Sequence, residues 1–224
     1  MKVRFSNTVS RKLTTERTVY RLSCVRRMRS IIVLRHADDL SGSWPSSSDV
    51  FTLPNGVHVP VPQHGLSPAG VARAKLLPSV IPKWMRASNF GPIGRVITKD
   101  PSKLEYTPNP FDTIYPTIQA QRVMDVVLLP GLSDLQKLMS DFSRSFPSTG
   151  SLIICWDAEG IWGPKNATGN RPASPIPGSI LDTLSMSPVS TYPLKGTTLY
   201  AFTGSGPKYT LSKIVNVQKD GTVL

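Results

Sequence analysis

Apolar residues in this chain come in short unbroken runs, each closed by charge or by a turn. Ile31-Ile32-Val33-Leu34 runs straight into Arg35, His36, Asp38 and Asp39. Ser151 to Trp156 (SLIICW) ends in the same way, at Asp157, Ala158 and Glu159. Runs of this length without alternation predict strands covered on both faces of a sheet. Ile93 to Thr98 and Val126 to Leu129 complete the set. Helical signals lie between the runs. Ser67 is a natural N-cap, Pro68 fits the first helical position, and Ala69 to Leu77 continue until Pro78 and Pro82 end or break the helix. Phe111 to about Met124 predicts a second helix, disturbed at Pro116. Ser133 with Gln136 forms a capping box for a third, whose apolar face is Leu132, Leu135, Leu138, Met139, Phe142 and Phe146. Asp134, Lys137, Asp141 and Arg144 turn outward from it. A short helix is expected around Ile180 to Met186. Thr197 to Thr203 and Tyr209 to Gln218 alternate like strands, and Gly204-Ser205-Gly206-Pro207 between them predicts a closing hairpin. No helix follows that turn, so it is not a phosphate loop. The remainder reads as loop: Leu40 to Gly65, Lys99 to Pro110, and a Gly/Pro stretch reaching about Gly178. Strands alternating with helices predict an α/β fold, a three-layer α/β/α sandwich around a mostly parallel sheet.

Charge divides the chain in two. The net charge of +12 sits on 224 residues, but residues 1–29 hold nine Lys or Arg against one acid, Glu16. Residues 30–224 are therefore only mildly cationic and form the predicted α/β domain. The tail's Arg, Ser and Thr suit an organellar transit peptide. The favoured reading is a disordered extension, or sequence upstream of a start at Met28. No stripe of interleaved basic and aromatic residues argues for a nucleic-acid partner, and no apolar run approaches a membrane span. Cys24 and Cys155 do not make a disulfide framework. A reducing, cytoplasmic compartment is expected, with organellar targeting by the tail as the alternative. The Asn166-Ala167-Thr168 sequon carries no meaning without a secretory signal.

The chemistry concentrates where the first run ends. A buried strand closing on Arg35 and His36 places a permanent cation and a titratable imidazole at the carboxyl edge of a sheet, where open α/β sheets bind ligands. Arg35 suits a phosphate or carboxylate, because its planar fork donates in pairs. His36 suits a nucleophile, a general base or a metal ligand. The long loop that follows holds His58 and His64, expected as solvated loop histidines because no partner sits at metal-ligand spacing. Trp44 and Phe51, also in this loop, suit either a ligand cover or, more simply, surface packing. No cofactor is implied.

Three segments in this order resemble the histidine phosphatase superfamily, the phosphoglycerate-mutase-like fold. LRHAD (Leu34 to Asp38) is similar to that family's Arg-His signature. GLSPAGVARAKLLP (Gly65 to Pro78) resembles the helix start that follows it, and LIICWDAEGI (Leu152 to Ile161) the strand that delivers a second catalytic histidine. Besides these three, SKLEYTPNPFDTIYP (Ser102 to Pro116) also resembles the segment that supplies a second phosphate-binding arginine. The resemblance implies a nucleophilic His36 that becomes a phosphohistidine, Arg35 as the first phosphate clamp, and Asp38 or Glu159 as the acid that protonates the leaving oxygen.

Two positions depart from that pattern. Asn109 stands where the resemblance implies the second arginine, and Ala158 where it implies the second histidine. Asp157 and Glu159 beside that gap repel a phosphate dianion, while Arg122, Lys99, Lys103 and Lys165 are the cations available to compensate. Asn109, Asp157 and Ala158 are thus expected, with Arg35, to line the substrate pocket. Three readings follow. One is a diverged phosphatase-like protein with an anion pocket for a small anionic or phosphorylated ligand and weak or lost phosphohydrolase activity. Another is an isomerase, cyclase or hydrolase using His36 with Asp38, Asp157 or Glu159 as acid and base. The third is a working phosphomonoesterase with a rebuilt clamp, which a laboratory replacement at Ala158 also favours.

Overall fold

A computed structural model describes residues 30–40, 43–105, 107–141, 146–147, 150–167, 170, 172, 174–184, 197–205, 208–218 and 221–222. The basic tail, with Cys24 and Met28, lies outside them.

The buried runs form one six-stranded sheet. β1 (Ser30–Arg35), β4 (Ile93–Lys99), β5 (Val126–Leu129) and β6 (Ser151–Trp156) are its parallel strands, and β7 (Thr197–Ser205) and β8 (Lys208–Val217) add the expected hairpin. The order is β5-β4-β6-β1-β7-β8, with β7 antiparallel to β1 and to β8. Alternate residues of each strand enter opposite cores. Ile32, Leu34, Val96, Ile153 and Cys155 face α1 (Pro68–Ala87) and α2 (Asn109–Ala120). Ile31, Val33, Ile97, Ile154 and Trp156 face α3 (Leu132–Ser140), α4 (Ala158–Trp162) and α5 (Ile180–Leu184). The fold is therefore the expected three-layer α/β/α sandwich with a mostly parallel sheet. Burial on both faces explains why these strands read as continuous apolar runs.

Three local expectations are corrected. Helix α1 runs through Pro78 and Pro82 to Ala87. Its buried stripe of Ala74, Leu77, Ile81, Trp84 and Met85 outweighs the missing hydrogen bonds. Pro82 has no N–H to give the Pro78 carbonyl, and Gln121 Nε2, just past α2, donates to that oxygen instead at 3.2 Å. The polar stretch from Leu40 to Gly65 holds a hairpin, β2 (Ser46–Thr52) and β3 (His58–Gln63), closed at Leu53 to Val57 with Gly56 at φ +85°. Val59 and Val61 plug it into the α1/α2 core, and the prolines of β3 are tolerated because this two-stranded sheet leaves an edge free. Helix α3 begins at Leu132 with Gly131 as N-cap and no side-chain cap, so Ser133 and Gln136 form no capping box. Gln136 donates instead to the Gly178 carbonyl. Leu135 and Met139 are buried as the stripe requires, and Phe142 lies outside the described residues.

Candidate functional site

Three neighbouring parallel strands, β4, β6 and β1, deliver their carboxyl ends to one place. Lys99, then Asp157 and Ala158, then Arg35 and His36 line a cavity of about 650 Å³ there, with Asn109 at the start of α2. Asp39, Trp44, Glu105, Thr107, Glu159, Lys165 and Asn170 complete the lining.

His36 is buried at 6% exposure, and its tautomer is set by its neighbours. Nδ1 lies 2.7 Å from the Ala37 carbonyl, which can only accept, so Nδ1 carries the proton and Nε2 keeps the lone pair. Asp39 Oδ1 is also 3.1 Å from Nδ1. Burial pushes the imidazole below its ordinary value of 6.5, outweighing the pull of Asp39 in the other direction. His36 is thus a neutral imidazole at physiological pH. Ala37 is itself held by its N–H to Thr113 Oγ1 at 2.9 Å, so α2 braces the strand tip.

The segment GLSPAGVAR stitches α1 to this tip. Ser67 N donates to the Asp38 carbonyl at 2.9 Å, Leu40 N donates to the Gly65 carbonyl at 2.8 Å, and Ser67 Oγ caps Gly70 N at 3.1 Å. Asp38 is turned away from the cavity. Its two oxygens take the buried Arg73 guanidinium at 3.0 and 3.3 Å. Asp39, one residue on, faces His36 and accepts from Asn109 Nδ2. Gly65 makes room for that amide, since a Cβ there would lie 2.0 Å from Asn109 Oδ1.

At the end of β6, Asp157 caps α4, its Oδ1 accepting from Gly160 N at 2.7 Å, and its Oδ2 takes Lys99 Nζ at 2.7 Å. Asp157 therefore does not face the cavity as an uncompensated charge. Glu159 is exposed at the rim, and Ala158 is 4% exposed and brings no polar group. Of the compensating cations, Lys99 and Lys165 line the cavity, whereas Arg122 sits just beyond α2 and Lys103 does not line it. Cys155 is a core thiol that donates to the Pro110 carbonyl, and burial raises it well above its ordinary value.

Trp44 lines the cavity, the less favoured of the two placements expected for it, and Asp39 joins the site only through tertiary placement. Asp39 was legible as a charge after a strand, but the sequence cannot separate it from Asp38. Phe51 is not at the cavity; it packs on Phe111 and Tyr115, with ring centroids at 5.9 and 4.4 Å. His58 bonds Thr52 Oγ1 at 3.0 Å. His64 is not merely solvated. It bridges Asp49 at 3.0 Å and Asp112 at 3.1 Å, tying the hairpin to α2.

The two carboxylates raise the His64 pKa against the opposing effect of its partial burial. A raised folded value contributes stability that is full below the ordinary 6.5 and is lost as pH rises through the folded value. The stability gap between the natural chain and His64→Gln is accordingly expected to be widest near pH 6 and to shrink toward alkaline pH. Chemical denaturation across that range measures it, and a gap independent of pH would rule the bridge out as a stabilising contact.

Among the described residues no group of His, Cys, Asp and Glu is arranged to hold a metal ion, and no helix is long and apolar enough to cross a membrane.

No family model and no curated protein matches the chain. Two of the solved structures that match are similar to it at low identity. One is assigned as a phosphohistidine phosphatase, SixA from Agrobacterium tumefaciens: 11% identity, 83% of this chain and 96% of that chain covered, TM-score 0.44. The other is the product of open reading frame Rv3214 from Mycobacterium tuberculosis: 8% identity, the same 83% and 96% coverage, TM-score 0.36. At such distances neither likeness carries a function across, and the functional reading rests on the cavity's own residues.

Proposed function

We propose that this chain is a diverged member of the histidine phosphatase superfamily whose pocket holds an anion or phosphate ester at Arg35 and His36, with weak or lost phosphohydrolase activity. The observation that carries this reading is the make-up of the cavity lining. It offers a neutral imidazole with Nε2 unprotonated, next to a guanidinium. At the two positions where the resemblance implies further donors, Ala158 brings none, and the Asn109 amide is engaged by Asp39.

Whatever turnover remains follows from those groups. Nε2 of His36 attacks phosphorus, the P–O ester bond breaks, and the leaving oxygen takes a proton from a rim carboxyl, for which Glu159 is suited. Water then hydrolyses the phosphoimidazole. Arg35 offsets the charge that develops on the phosphoryl oxygens, where the wall at Ala158 supplies nothing. Loss of a single oxyanion donor costs on the order of 10²–10³ in rate.

A second reading has one contact in its favour. The pairing of Asp39 with Nδ1 of His36 at 3.1 Å is a carboxylate–imidazole couple suited to proton transfer on a small molecule that is not a phosphate ester.

Assay of p-nitrophenyl phosphate beside thermal melts in vanadate and phosphate separates the readings. Near-background turnover, with vanadate raising the melting temperature in the natural chain but not in Arg35→Met, is the expected result. Brisk turnover abolished by His36→Ala would replace this reading with that of a working phosphomonoesterase. No response to either anion would favour the acid/base enzyme.

A further inference from the structure

We infer that Lys99 is the second cation of the anion pocket and that Asp157 withholds its charge, so that the pocket takes a singly charged head group in preference to a phosphate dianion. The inference rests on the reading of the cavity as an anion site and names the charge of what it accepts.

Lys99 is placed by the sheet itself. Arg35 pairs with Trp156 across β1 and β6, and Thr98 pairs with Cys155 across β4 and β6. Lys99, Trp156 and Arg35 therefore lie in one row over three adjacent strands, on the face that carries Ile97, Ile154 and Val33. The two cations flank Trp156, two strand spacings apart, at the carboxyl edge that His36 also occupies. Lys99 Nζ sits 5.8 Å from the centre of the Trp156 ring, a cation–π contact that keeps the ammonium at this edge.

Its charge is not free to act. Asp157 is held by its N-cap bond to Gly160, so its second oxygen stays on Nζ at 2.7 Å. Gly160 is fixed in turn, because a Cβ there would lie 2.3 Å from Trp156 Cδ1. Of the charged residues lining the cavity, Arg35, Lys99 and Lys165 face Asp39, Glu105, Asp157 and Glu159. With His36 neutral, acids outnumber bases by one among the described residues of the lining. A dianion meets that balance with twice the repulsion of a monoanion carrying the same head group, a difference worth on the order of tenfold in affinity at these separations.

The test compares two probes that differ by one charge, phenyl phosphate and its methyl ester, by calorimetric titration of the full chain at about pH 8. The second ionisation of a phosphate monoester lies at about 6, so phenyl phosphate is then a dianion. In the natural chain the monoanionic ester is expected to bind at least as tightly as the dianion. Asp157→Asn keeps the cap, since an Asn oxygen accepts from Gly160 N as Asp does, and is expected to move the preference toward the dianion by about tenfold. Lys99→Gln is expected to move it the opposite way, and the double variant to lose the gain of Asp157→Asn. Binding that Arg35→Met abolishes, with a preference unchanged in Asp157→Asn, would overturn this inference and leave the anion site standing. Absence of Arg35-dependent binding of either probe, in the natural chain and in Asp157→Asn alike, would overturn both.

Discussion

Replacing Ala158 by His is expected to raise turnover of p-nitrophenyl phosphate by one to two orders of magnitude. Ala158 is the first residue of α4, and the cap from Asp157 to Gly160 N fixes the backbone around it. It lines the same cavity as Arg35 and His36 and brings no side-chain donor of its own. An imidazole there places an N–H where negative charge gathers on the phosphoryl oxygens, and such a donor is worth about 10²–10³ in rate when well placed. The lower expectation allows for imperfect geometry. His36→Ala made on top of Ala158→His should abolish the gain, because both residues serve the same displacement. Asn109→Arg should add less. Its guanidinium emerges beside Asp39, which already binds the amide at that position, so part of the new charge is neutralised on arrival. A folded Ala158→His chain that still responds to vanadate but turns over no faster would remove the missing donor as the reason for weak activity.

Gly70→Ala is expected to destabilise the chain by about 3 kcal/mol or more, the range reached when a buried backbone contact must be broken open. A Cβ at Gly70 would lie 2.2 Å from the Asp38 carbonyl and 3.1 Å from its nitrogen. Backbone cannot swing aside as a side chain can. That same carbonyl accepts from Ser67 N, so the first turn of α1 and the tip of β1 would have to part together. The separation would also strain the Asp38–Arg73 pair and move His36 two residues upstream. Loss of anion binding should therefore accompany loss of stability. Gly56→Ala provides the contrast: its φ is +85°, but nothing lies within 4 Å of the new methyl. Only the left-handed backbone is penalised there, at about 1 kcal/mol. Chemical denaturation of both variants makes the comparison, and equal effects would sink the claim that the β1–α1 stitch is a close backbone contact.

The elements most legible in the sequence are those whose surroundings are uniform. β5 and β6 occupy the residues their apolar runs mark, and β1 extends its run by one residue at each end. A strand apolar on both faces has few alternatives in a chain this long. The errors fall where a local rule met a tertiary partner. Pro78 and Pro82 are helix breakers in isolation, yet a buried stripe and the Gln121 amide hold α1 together across them. The β2–β3 hairpin had its own signal, Asn55-Gly56 between alternating residues. It was obscured by the prolines of β3, which only a free edge tolerates. Ser133 and Gln136 satisfy a capping rule, but the helix starts two residues earlier than that cap requires, with Gly131 as N-cap, and Gln136 donates to Gly178 instead.

The order of residues along the chain alone determined that an arginine and a histidine close one buried strand and that a lysine and an acid–alanine–acid triplet close two others. Folding decided that these three ends are neighbours, because strand order depends on crossovers that carry no local mark. It also decided the availability of each charge. Arg73, brought in by α1, takes Asp38 out of the cavity, while Asn109, admitted by Gly65, holds Asp39 in it. Lys99 is neutralised by a carboxylate far from it in sequence. A charge is written in the chain, but its pairing depends on distances of a few ångströms, and those exist only once the layers have packed.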